Sequence, residues 1–107
     1  MKPIVDEVAK RLRDELCESI EDFEGLYVFG SQVRGDATPE SDVDIVVLFG
    51  KYDMFRFGVF SDIMSAIELD YYNVIELDVL RYTREELERN YIFHNEVVNK
   101  GIFYGAR

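Results

Sequence analysis

Val28-Phe29-Gly30-Ser31-Gln32-Val33-Arg34-Gly35 and, five residues on, Ser41-Asp42-Val43-Asp44-Ile45-Val46-Val47-Leu48 form the stretch from which the fold can be read. An apolar strand, Leu26 to Phe29, stops at Gly30, where a backbone without a Cβ can come close to a ligand. Ser31 then opens a short turn whose N–H groups can face an anion. After ten residues the chain returns as a second strand with two carboxylates one residue apart. Strand side chains alternate, so Asp42 and Asp44 point the same way, roughly 6–7 Å apart along the backbone. That reach suits carboxylates holding divalent cations between themselves and a bound triphosphate, as phosphoryl or nucleotidyl transfer requires. Each half is weak alone: Gly-Ser is common in turns, and Asp-x-Asp also marks a solvated strand end. Their conjunction between two apolar runs carries the reading.

Outward from this stretch the pattern is mixed α/β, in the order α-β-turn-β-α-β-α. Val5, Val8, Leu12, Leu16 and Ile20 recur at helical spacing and predict an amphipathic helix from Pro3 to Asp22, with Pro3 in its first turn and Gly25 at its exit. Val43 to Phe49 is almost continuously apolar, as in a strand buried on both faces. Thr38-Pro39 marks the loop before it. A second helix is predicted over Met54 to Leu69 and a third strand over Asn73 to Leu80. Thr83 with Glu86 forms a capping box that opens a third helix running to Gly101, and Ile102-Phe103-Tyr104 reads as a short closing strand.

The 107 residues have room for one core, so residues 1–107 are expected to be one domain. Apolar residues at 48% and aromatics at 14% favour a folded chain. No apolar run approaches the roughly 20 residues of a membrane span, and charges within the first seven positions do not read as a signal peptide. The single cysteine, Cys17, has no internal disulfide partner, which fits a reducing cytoplasm; on the flank of the first helix it reads as inert. A net charge of −10 repels a phosphate backbone and favours a basic protein partner over nucleic acid, although excess acid also simply keeps a small domain soluble.

The run Gly30 to Asp44 resembles the nucleotidyltransferase superfamily related to DNA polymerase beta, whose signature is Gly-Ser, a spacer and Asp-x-Asp. It is most similar to the minimal nucleotidyltransferases, the partners of HEPN-domain proteins. The resemblance implies a polymerase beta palm-like core and the transfer of AMP from ATP, with Mg²⁺, to a tyrosine of a HEPN ribonuclease toxin, so that the chain acts as antitoxin. It implies Asp42 and Asp44 as catalytic metal ligands and Gly30 and Ser31 as nucleotide-binding. A third carboxylate usually completes such a site. Glu76 and Asp78 share one face of the third strand, and both could equally face solvent at a sheet edge. The resembling family carries an Asp there, which points to Asp78. Arg34 either touches the triphosphate or braces the turn against a carboxylate. His94, the only histidine, is expected to be packed or half-buried in the third helix; Arg89 and His94 repeat the spacing of the HEPN ribonuclease motif, but those domains are helical and three strands speak against it. The aromatic stretch from Tyr52 to Phe60 exceeds one helix face and reads as an interface or a wider core contact. Two other classes remain: an antitoxin that neutralises by contact alone, and a nucleotidyltransferase of small molecules.

Overall fold

The computed structural model describes residues 1–51 and 54–106, with the side chains of 54–56 left aside. Helix α1, Pro3–Ser19, buries Val5, Val8, Ala9, Leu12 and Leu16 along one stripe. It ends three residues before the expected Asp22 because Ile20 turns extended, at φ −128 and ψ 110, while its side chain stays buried. Strand β1, Phe23–Phe29, therefore starts three residues earlier than the pattern predicts. Gly25 is not a helix exit. It lies inside β1 at φ +146, where the register with β2 shifts and the Phe103 ring covers the glycine so closely that a Cβ would come within 2.6 Å of it.

After β1 come a short helix α2, Ser31–Arg34, closed by Gly35 in the left-handed region, and strand β2, Val43–Phe49. Beyond Asp44, β2 is buried throughout, as its unbroken apolar run requires. Helix α3, Met54–Asp70, buries Phe60, Met64 and Ile67. Phe60 thus belongs to the core, whereas Phe57 is 40% exposed beneath the Arg81 guanidinium. Tyr52 and the side chains of Met54 and Phe55 lie outside the described residues.

Strand β3, Leu77–Thr83, begins four residues later than predicted and runs three further. Asn73 takes a left-handed φ of 60, and the N–H groups of Val74 and Ile75 donate back to the Tyr71 carbonyl, so this segment closes α3 as a turn. The expected third helix is broken. The capping box on Thr83 opens α4, Arg84–Arg89, as expected, but Asn90 leaves the helix and its side chain caps α5, Tyr91–His94. A π-helical turn, Asn95–Asn99, follows, and then strand β4, Ile102–Gly105.

The four strands lie in the order β3-β2-β1-β4, with β2 and β3 parallel across the α3 connection and the other pairs antiparallel. The fold is a mixed α/β sheet. One face carries Leu26, Val28, Val43, Ile45 and Val47 and packs on α1 and α3; the other carries Val46 and Leu48 and packs on Leu87, Phe93, Val97 and Val98. Among the described residues, no helix is long and apolar enough to cross a membrane.

Candidate active site

Two strands bring the candidate carboxylates together. Asp44 is the second residue of β2 and Asp78 the second of β3; in the parallel register they are direct partners. Alternation puts both on the sheet face of Val46 and Leu48, and Asp42, just ahead of β2, is near enough for its charge to act on Asp44. Asp42 and Asp78 are exposed and Asp44 is half-buried. Glu76 lies ahead of β3, exposed, and its carbonyl accepts the Val43 N–H at 2.8 Å. The register therefore aligns Asp78, and not Glu76, with Asp44.

Gly30 supplies the floor. It sits at φ 78 and ψ −150, a conformation open essentially to glycine alone. A Cβ here would run into the Asp44 carboxylate, with Asp44 Cγ only 3.3 Å away. Phe29 pairs with Asp44 across the β1–β2 ladder, which explains how the chain reverses directly beneath that carboxylate. Ser31 then opens α2, and the N–H groups of Val33 and Arg34 both return to the Gly30 carbonyl.

Arg34 braces as well as borders the site. Its Nη1 lies 3.1 Å from Glu96 Oε1 on the π-helical turn and its Nε 3.5 Å from Asp36. His94 is half-buried, as expected, and Cys17 donates its thiol to the Ala106 carbonyl at 3.1 Å. Glu96 was not legible as a neighbour of the site, because the break at Asn90 and the wider π turn set its direction.

Burial and the neighbouring charges of Asp78 and Asp42 push the Asp44 carboxyl above its ordinary range, against a smaller opposing effect of Arg34. Among the described residues no three His, Cys, Asp or Glu side chains are gathered tightly enough to enclose a metal ion. The donor chemistry nevertheless fits a hard divalent cation, since burial and then the repulsion of Asp78 and Asp42 raise the Asp44 pKa, and carboxylate oxygens are the ligands such ions take. A groove of about 720 Å³ opens at the same end of the sheet on the α1 side, lined by Gln32, Ser41, Glu76 and Leu77 but by none of the three aspartates.

The raised Asp44 pKa sets a sign for stability. Between its ordinary value of 3.8 and the raised one, the folded protein binds more protons than the unfolded chain, so this group's contribution falls as pH rises through that window. Asp44→Asn is therefore expected to melt at a higher Tm than the parent at pH 7.5, with the gain disappearing below the ordinary value. Melting curves at pH 7.5 and pH 3.5 without divalent cations check this; a variant less stable at pH 7.5 contradicts it.

The family described as "Nucleotidyltransferase domain" matches residues 9–102. No curated protein matches the sequence. Among solved structures, a chain of a toxin–antitoxin crystallised with AMP-PNP is 25% identical, with a TM-score of 0.58, covering 91% of this chain and 73% of its own. A chain from a mutant MntA-HpeT toxin–antitoxin is 24% identical at a TM-score of 0.55, covering 94% and 73%. A third, from a tri-AMPylated Shewanella oneidensis HEPN toxin in complex with MNT antitoxin, is 22% identical at 0.54, covering 94% and 72%.

Proposed function

The chain belongs to the nucleotidyltransferase domain family, and from that premise we propose that it is an Mg²⁺-dependent adenylyltransferase and antitoxin, moving AMP from ATP onto a tyrosine of a helical HEPN toxin in the cytoplasm. The observation that carries this reading is the register of Asp44 against Asp78 with Gly30 packed beneath. The toxin–antitoxin solved with AMP-PNP supports both the nucleotide and the kind of partner. A charge of −10 disfavours a polyanionic acceptor and suits a basic protein.

Asp42, Asp44 and Asp78 would hold the divalent cation, which when bound neutralises charge on the phosphates and lowers the barrier to displacement. Ser31 donates its hydroxyl, together with the backbone after Gly30, to the terminal phosphates, and Arg34 offers a guanidinium at the rim. The acceptor hydroxyl gives up its proton to solvent as its oxygen attacks the α-phosphorus in line, the bond to the bridging oxygen breaks, and pyrophosphate leaves. Because this chain forms no covalent intermediate, its contribution is positioning and charge.

Intact mass spectrometry of the co-expressed pair tests the reading. The toxin is expected to be heavier by one or more AMP units, the additions to vanish with Asp42→Asn/Asp44→Asn, and ribonuclease activity to return. A toxin that is unmodified yet still silenced by the double variant makes the chain an antitoxin by contact alone.

A further inference from the structure

The ion pair between Arg34 and Glu96 joins residues 62 positions apart in sequence, from the helix after Ser31 to the π-helical turn. Both ends are partly exposed, the Arg34 side chain at 51% and that of Glu96 at 30%. Pairs in such settings contribute little to stability, because solvent screens them and two long side chains lose freedom. Its anchoring is nonetheless firm on one side. Val97, next to Glu96, is fully buried against the sheet, and Gly101 packs so tightly that a Cβ would collide with the Val97 carbonyl and approach the Val28 carbonyl at 2.9 Å. The turn is thus pinned to β1, and π-helical turns are rare insertions that recur at functional sites. Glu96 also takes Lys100 at 3.5 Å, which holds its carboxylate from the other side.

Arg34 ends the short helix that Gly30 opens, and Gly30 lies against the Asp44 carboxylate, so this helix carries the guanidinium to the border of the cluster. An untethered guanidinium beside Asp42, Asp44 and Asp78 would fold onto them and occupy the oxygens that the reaction needs. Glu96 engages Nη1 and Asp36 engages Nε, so two of the guanidinium nitrogens are held by carboxylates outside the cluster. A planar fork keeps donors available for phosphate oxygens even while one edge is paired.

We infer that Glu96 is the positioning residue for Arg34, holding the guanidinium at the rim of the carboxylate cluster so that an incoming nucleoside triphosphate meets it and the carboxylates stay free. This inference rests on the nucleotidyltransferase reading of the site. It gives the π-helical turn a role in binding that its contribution to stability does not explain.

A double-mutant cycle tests it, read as KM and kcat for Mg-ATP in the complex with the toxin. Glu96→Ala is expected to raise KM about three- to tenfold, a coupling in the range for contacting charged groups, with kcat within about twofold. Glu96→Asp recovers part of the loss. In an Arg34→Ala background, Glu96→Ala is expected to add less than about a further twofold, because its effect passes through Arg34. Raising ionic strength should shrink the difference between Glu96→Ala and the parent, since salt screens an exposed pair. An unchanged KM in Glu96→Ala, or the same factor in both backgrounds, overturns the inference and leaves the enzyme reading standing. A parent that neither binds nor turns over Mg-ATP overturns both.

Discussion

Asp44→Asn is expected to lower AMP transfer by about a hundred- to a thousandfold, the loss seen when one preorganised charge contact to a reacting group is removed. Asp44 is the residue on which the site converges: Asp78 is its strand partner, Gly30 lies beneath it, and the charges of Asp42, Asp78 and Arg34 all reach it. The substitution changes one oxygen to an amide nitrogen and keeps the shape, so the strand pairing should survive. The expected rise in Tm at pH 7.5 serves as an internal control that the fold is intact. Pyrophosphate release at saturating Mg-ATP and toxin measures the effect. Parent-like turnover would remove Asp44 from the chemistry and, with it, the assignment of the site.

Gly30→Ala is expected to be nearly as damaging, and by a separable route. The backbone there, at φ 78 and ψ −150, costs a residue with a Cβ about 1–3 kcal/mol. The new methyl group would also strike the Asp44 carboxylate, so the carboxylate must move or the turn must open. A fall in Tm should accompany loss of about two orders of magnitude in transfer, since small displacements of a catalytic group cost about a hundredfold. Gly35→Ala is the matched comparison. Gly35 also has a positive φ, 88, but a Cβ on it meets nothing within 4 Å. It should lose stability through backbone strain while retaining transfer. If Gly30→Ala and Gly35→Ala lose transfer equally, the close approach to Asp44 is irrelevant and only turn strain matters.

Much of this was legible in the chain because it depends on short-range rules. Ile45 to Phe49 is an unbroken apolar run, and a strand covered on both faces can be little else. Alternation expects Asp42 and Asp44 on one face, although Asp42 stands one residue ahead of β2. Thr83 and Glu86 form their capping box within one turn, so their bond needs no distant partner. Gly-Ser, its spacer and Asp-x-Asp are likewise contiguous, and they sufficed to indicate the family that the comparison establishes.

Where distant contacts compete with local preference, the local reading failed. Gly25 looks like a helix exit, but the Phe103 ring from the far end of the chain packs on it inside β1. Val74 and Ile75 look like strand, yet bonds back to Tyr71 turn them, and β3 starts where pairing with Val43 begins. The helical period past Arg89 continues in sequence, but Asn90 breaks it so that Phe93 and Val97 can both reach the second face of the sheet. Which of Glu76 and Asp78 stands beside Asp44 is a question of register between two strands of the sheet, and it follows from the pairing of Val43 with Leu77 and of Ile45 with Val79. Glu96 comes to Arg34 for the same reason: no pattern within a helix or strand encodes a contact across 62 residues, which exists only once the π-helical turn is seated on β1.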